Sequence, residues 1–278
     1  MMKVDVFHIG PQKTATTWAY HCLKEHPEVS VPNKDAIHYF DINFPKGEEW
    51  LKSKYPPVSQ GIYVETTPSY IRSVPALKRI KEYNDNAKIV LCIRSPLERM
   101  VSHYWHEKKK GSINYNIEDV LDNYDLFSSW VETSMYGDKV EELYQMFGRE
   151  RVFVQVYDDL KKDPYAFLRD LYEFIGVDDA SFTPASLEKK INKATKKKGG
   201  ARLLLIKLLK EAGVLDRVIN LKNKVAISSG KSSYDTKELL SSLPETLRSQ
   251  IYDITRRDVE KLSKLIERDM LKEWGYDS

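Results

Sequence analysis

The stretch Val4-Asp5-Val6-Phe7-His8-Ile9-Gly10-Pro11-Gln12-Lys13-Thr14-Ala15-Thr16-Thr17-Trp18 decides the fold. Val4 to Ile9 is short and β-branched and runs into Gly10-Pro11, which predicts a buried strand ending in a loop. Trp18, Ala19, Cys22 and Leu23 then recur at one-face helical spacing until His26-Pro27 interrupts the pattern. A strand, a tight loop and a helix in that order make an anion site. The first N–H groups of the helix have no internal partner, and the aligned peptide dipoles put partial positive charge at the loop. Lys13, Thr14, Thr16 and Thr17 add a charged donor and hydroxyls. Taken alone, Lys13 reads equally well as a lysine in a polar turn.

Working outward, Ile62-Tyr63-Val64 predicts a second strand closed by Thr67-Pro68, and Leu77 and Ile80 mark a helix face over Pro75 to Tyr83. Lys88-Ile89-Val90-Leu91-Cys92-Ile93 is a near-continuous apolar run of the kind buried on both faces of a parallel sheet, with Arg94 at its carboxyl end. Ser95-Pro96-Leu97-Glu98 has the form of a capping box with proline at the first helical position. Val152 to Tyr157 predicts another strand. Asp163-Pro164 opens a helix with Phe167, Leu168, Leu171, Phe174 and Ile175 on one face and Gly176 as its stop. Strands alternating with helices predict an α/β fold of three layers with a central parallel sheet. Beyond Asp178 the pattern is helical, with Leu203 to Leu209 as one helix and a long or broken one from Pro244. We read residues 1–278 as one domain, an α/β core over 1–178 and a mainly helical lid and C-terminal part over 179–278.

Composition narrows the function. The net charge is only +3, too little for nucleic-acid binding by bulk charge, so any anion site is local. The two cysteines, Cys22 and Cys92, lie inside apolar segments and read as reduced packing residues rather than a bridge or a metal site. The N-terminus shows no basic flank followed by an apolar run, and no apolar stretch is long enough to span a bilayer. The expected location is cytoplasmic.

The spacing departs from the nucleotide-triphosphatase loop, because only Gly10 precedes Lys13. Pro11-Gln12-Lys13-Thr14-Ala15-Thr16-Thr17-Trp18 closely resembles the 5′-phosphosulfate loop of sulfotransferases that use 3′-phosphoadenosine 5′-phosphosulfate (PAPS), P-K-[TS]-[GA]-[TS]-[TS]-W, with Gln12 inserted. A residue between proline and lysine is familiar in the carbohydrate and bacterial branches. Arg94 and Ser102, eight residues apart, resemble that family's 3′-phosphate motif. Tyr157, in Val156-Tyr157-Asp158-Asp159-Leu160, lies where the family has an aromatic near the adenine, and reads equally well as a strand-end core tyrosine. The motif order and Trp274-Gly275 after a helix extend the likeness over most of the chain, while the first two motifs alone are specific.

The resemblance implies a P-loop-like fold and the reaction class: in-line transfer of a sulfuryl group to a hydroxyl or amine of a carbohydrate or small molecule. It assigns Gln12 through Trp18 to the 5′ end of PAPS and Arg94 and Ser102 to the 3′-phosphate. Lys13 then serves the bridging oxygen, and fixed cations make a metal unnecessary. A lysine- and glycine-bearing loop covers the 3′-phosphate elsewhere in the family, which points to Lys198, Gly199 and Gly200. For the base, Lys34-Asp35-Ala36-Ile37-His38-Tyr39-Phe40-Asp41 resembles the glycan sulfotransferases' K-E-x-H-F-F-D, but the glutamate's position falls on Ala36. That leaves His38, Asp35 and Glu65, in that order of preference. Glu65 opens Glu65-Thr66-Thr67-Pro68-Ser69-Tyr70, which resembles an acceptor-side T-E-K-S-P-A-Y segment with threonine for lysine.

Tyr39, Phe40, Tyr70 and Trp105 are either an acceptor floor or core, and the lysines at 108–110 and 196–198 either an entrance for an anionic acceptor or solvated faces. Two rivals stay open. One is an ATP-dependent small-molecule kinase, with Asp158-Asp159 as its magnesium carboxylates; the other is a binder of PAPS or adenosine 3′,5′-bisphosphate (PAP) that has lost transfer. Acceptor identity and oligomeric state are not readable from these residues.

Overall fold

A computed structural model describes residues 2–56, 61–187 and 236–276. Strands β1 (Val6–His8), β2 (Val29–Ser30), β3 (Ile62–Thr66), β4 (Lys88–Ile93) and β5 (Val152–Val156) form one sheet in the order β2-β3-β1-β4-β5. Every pairing is parallel. The two-residue β2 carries no periodicity of its own, which is why sequence pattern misses it. Between the strands lie α1 (Thr16–Glu25), α2 (Gly47–Lys52), α3 (Val74–Tyr83), α4 (Pro96–Lys110), α5 (Tyr124–Trp130) and α6 (Gly137–Phe147). After β5 come α7 (Tyr157–Lys162), α8 (Pro164–Ile175), α9 (Thr236–Ser241), α10 (Glu245–Leu265) and α11 (Met270–Glu273).

Alternation along β4 sorts the core into two layers. Ile89, Leu91 and Ile93 pack with Phe7, Leu77, Ile80, Val140 and Leu143, while Val90 and Cys92 pack with Trp18, Cys22, Leu23, Phe167 and Leu171. With both faces covered, the run reads as continuous rather than alternating. Each such fully buried aliphatic side chain contributes roughly 1.5–3 kcal/mol. Local chemistry sets the helix ends: the Asp163 carboxylate accepts from the N–H groups of Tyr165 and Ala166, and Gly176 takes the left-handed conformation (φ +94°) that ends α8. At α4 the expected capping box does not form. Pro96 opens the helix, but Ser95 makes no side-chain cap and Glu98 turns instead to Arg94.

By compactness the chain divides into two units, Met1–Ile191 with Leu243–Ser278, and Asn192–Ser242. The expected helix at Leu203–Leu209 and the loop with Lys198, Gly199 and Gly200 lie outside the described residues. Within the first unit, α10 seats Val259 and Leu262 in the core, and Trp274 Nε1 donates to Asp158 Oδ2 at 3.1 Å. No described helix is long and apolar enough to cross a membrane.

The strand order locates a site. β1 connects through α1 toward β2 on one side, while β4 continues through α4, α5 and α6 to β5 on the other. Connections that diverge in this way leave a crevice beyond the carboxyl ends of β1 and β4, where ligands of open α/β sheets bind.

Candidate functional site

The loop from Gly10 to Ala15 borders that crevice. Gly10 has φ +103°, and a Cβ there would lie 2.1 Å from the Pro68 carbonyl oxygen, so only glycine lets the loop press against the segment after β3. Gly10→Ala is expected to cost about 1–3 kcal/mol through backbone strain alone, and more through the overlap. Urea denaturation should show that loss together with weakened nucleotide binding. Lys13 (φ +76°) and Ala15 (φ +68°) are also left-handed, which curls the backbone tightly onto the start of α1. The buried Thr14 hydroxyl donates to Pro11 O at 2.7 Å and stiffens the curl. Thr14 therefore offers a ligand its backbone N–H rather than its hydroxyl. Trp18 is core, its indole N–H donating to Leu187 O at 3.1 Å.

Across the crevice, Arg94 is 4% exposed. Its Nε and Nη2 donate to Glu98 Oε2 at 3.0 and 2.9 Å, and its Nη1 donates to Lys13 O at 3.3 Å. Of its five N–H donors, one on each Nη has no partner among the described residues. Tyr157 lies under the guanidinium with its ring centroid 4.6 Å away. Ser102 is half-buried on α4, one turn beyond Glu98 on the same helix face, and Arg94, which precedes the helix, reaches that face through Glu98.

Sequence reasoning missed Arg99. It is fully buried and donates to Gln12 O (3.4 Å), Ser129 O (3.0 Å), Trp130 O and Ser134 Oγ, so it ties the Gly10–Ala15 loop to the 129–134 segment. The available signal was a charge among the positions of α4 that face the core, beside Met100 and three residues after Pro96.

The electrostatics fit a polyanion. Burial first, and then the charges of Arg94 and Lys110, push the Lys13 ammonium down to about 8. His106 is pushed down to about 4 by burial, Lys13 and Lys110, and His103 to about 2 by burial, Arg99 and Lys13. Cations that depress one another's protonation are held together at a cost that a bound polyanion removes. Lys108 and Lys110 have local partners, Tyr115 O at 2.9 Å and Glu107 Oε1 at 3.1 Å.

The three candidate bases occupy different places. Asp35 touches α1: Thr17 Oγ1 donates to its Oδ2 at 3.1 Å, and Thr66 Oγ1 to its Oδ1 at 2.8 Å. The next residue, Ala36, is left-handed (φ +54°), a kink by which the carboxylate one position earlier reaches inward. His38, also left-handed (φ +53°), has Nδ1 3.1 Å from Asp41 Oδ2 and 3.2 Å from Ser69 Oγ, and among the described residues its other ring nitrogen has no partner. Burial works to raise the Asp41 pKa, but hydrogen bonds from Ser69, His38 and the Ile42 N–H hold it below the usual range. Glu65 is 1% exposed inside the core, pushed up to about 7 by burial. Tyr39, Phe40 and Tyr70 are core as well, at 2%, 0% and 0% exposure, whereas Trp105 is half-buried.

A family model described as Sulfotransferase domain matches residues 3–203. Heparan sulfate glucosamine 3-O-sulfotransferase 5 of Homo sapiens is 28% identical over 185 residues, 61% of this chain and 52% of that protein. Membrane-associated sulfotransferase kil1 of Dictyostelium discoideum is 29% identical over 123 residues, 41% of this chain and 26% of that protein. The chain thus spans about half or less of the length of these curated relatives. Among solved structures, a sulfotransferase from Alicyclobacillus acidocaldarius aligns with a TM-score of 0.72 at 19% identity, covering 99% of this chain and 100% of that one, a likeness of fold.

Proposed function

The chain belongs to the sulfotransferase domain family, and from that membership we propose that it transfers a sulfuryl group from PAPS to a hydroxyl or amine of a carbohydrate or small-molecule acceptor. The observation that carries the reading is the Arg94 to Lys13 O contact at 3.3 Å, which joins two anion-binding motifs across one crevice. Such a pair suits a nucleotide phosphorylated at both ends. PAPS supplies an activated sulfuryl group whose departure leaves negative charge on a phosphate oxygen.

Lys13 lies where that charge develops, and the N–H groups at the start of α1 hold the 5′-phosphate, as a helix N-terminus does. Arg94, with its remaining donors, and Ser102 hold the 3′-phosphate. Asp35 takes the acceptor's proton, because it alone of the three candidates touches the phosphate-loop helix. Its lateral hydrogen bonds from Thr17 and Thr66 aim it. His38, buttressed by Asp41, orients the acceptor. This reverses the order that motif spacing suggests, in which His38 leads.

A kinase finds less support. Asp158 accepts from Trp274 Nε1 and pairs with Lys161, and Asp159 pairs with Arg268, so neither carboxylate is free for magnesium. Titration calorimetry separates the readings: PAP is expected to bind without metal, and magnesium–ATP not to compete. Failure of PAP to bind a well-folded sample would end the proposal. Incubation with radiolabelled PAPS and a panel of glucosamine-bearing oligosaccharides, phenols and amines then separates a transferase from a binder.

A further inference from the structure

Strand β3 ends in a run of side chains that fastens the whole 35–41 segment. Thr66 holds Asp35 (2.8 Å), and Ser69 Oγ donates to Asp41 Oδ2 (2.6 Å). Glu65 reaches the same segment from beneath, through two hydroxyls. Thr67 Oγ1 and Tyr70 OH each donate to Glu65 Oε1 at 2.6 Å. Each hydroxyl in turn accepts a backbone N–H, Thr67 from His38 at 3.4 Å and Tyr70 from Phe40 at 2.9 Å. A hydroxyl that donates to a carboxyl oxygen keeps its lone pairs oriented for a second donor, so Glu65 dictates which way both point.

We propose that Glu65 is a positioning residue for transfer: through Thr67 and Tyr70 it fixes the backbone of His38 to Phe40, and so the His38–Asp41 pair, without meeting the acceptor. Glu65, Thr67 and Tyr70 are each no more than 1% exposed, which keeps them out of reach of any acceptor. The strand register points the same way. Glu65 pairs with Phe7, which faces the layer of Phe40 and Leu77, whereas the neighbouring Thr66 points to the other side and meets Asp35. Among the described residues Glu65 Oε2 is buried with no partner, so there the side chain is held by Oε1. Asp41, Tyr55 and Tyr70 are the titratable groups whose fields it shares.

This inference rests on the sulfuryl-transfer reading, and its test separates the two. With radiolabelled PAPS and the best acceptor of the panel, Glu65→Leu is expected to lower kcat roughly 10- to 100-fold, the scale of a small misplacement, with PAP affinity unchanged by calorimetry. Glu65→Gln, whose amide oxygen accepts both hydroxyls, should recover most of that loss and remove any ionisation near pH 7 from the kcat profile. If Gln falls as far as Leu, or if Leu keeps the parent kcat, the inference is wrong. Because Glu65→Leu could fail to fold, Tyr70→Phe provides a second arm. Amide exchange at Phe40 should quicken about fivefold, as for one lost hydrogen bond, and unchanged protection there overturns the inference. The exchange arm needs no turnover, so a parent inactive on every acceptor would count against the transfer reading alone.

Discussion

Lys13→Ala is expected to lower kcat by roughly 10²- to 10³-fold, the usual loss when a preorganised donor to developing negative charge is removed. Its melting temperature should nevertheless equal or exceed the parent's. Lys13 sits among Arg94, Arg99 and Lys110, and burial with those charges pushes it down to about 8, against an ordinary lysine near 10.5. A lysine that binds its proton less tightly in the folded state than in the unfolded chain disfavours folding at pH values below its folded pKa. Deleting it therefore relieves the fold while it removes the chemistry, the trade expected of a functional charge. A loss of both activity and stability would instead mark Lys13 as a structural residue of the loop.

The same shift predicts a pH dependence in the parent. Bound polyanion favours the charged ammonium, so above pH 8 cofactor binding must take up a proton that free Lys13 has begun to lose. PAP affinity should therefore fall as pH rises through about 8, and the fall should vanish in Lys13→Ala. Calorimetry at several pH values measures both.

Much of this was legible in the sequence because the residues that form the frame also carry the pattern. The apolar run at Ile89 to Ile93 reads as a doubly covered strand, and Gly10, Lys13, Thr16 and Thr17 read as an anion loop since strand, loop and helix follow one another directly. What could not be read depends on pairing between distant segments. Glu98 looks like a capping residue until Arg94 is seen to claim it, and Arg99 looks like a surface charge until α4 is placed against the core. Candidate bases suffer most, because spacing along the chain says nothing of sheet faces. Glu65 and Thr66 are neighbours in sequence yet address opposite layers, one toward Tyr70 and the other toward Asp35. The left-handed turns at Ala36 and His38 are likewise invisible to a motif, although they decide which side chain of 35–38 reaches the phosphate loop.

Asp35→Asn supplies the sharpest test of the assigned base, because its two expected effects run in opposite directions. Loss of a positioned base typically costs roughly 10²- to 10⁴-fold in kcat. PAP binding, in contrast, should tighten. The Asp35 carboxylate lies against Thr17 in the first turn of α1, where negative charge competes with the phosphate that the same turn is meant to hold. Asparagine keeps an oxygen for Thr66 or Thr17 and occupies nearly the same volume, so the loop should stay in place while the repulsion disappears. His38→Ala is the necessary companion. If His38 only orients the acceptor through its Asp41-buttressed ring, its loss should appear mainly in the acceptor KM, with PAP affinity unmoved. If instead His38→Ala loses more kcat than Asp35→Asn, the imidazole is the base and the contact between Asp35 and the phosphate-loop helix serves only to fasten the segment. Steady-state kinetics on both variants, with PAP calorimetry beside them, distinguishes these outcomes.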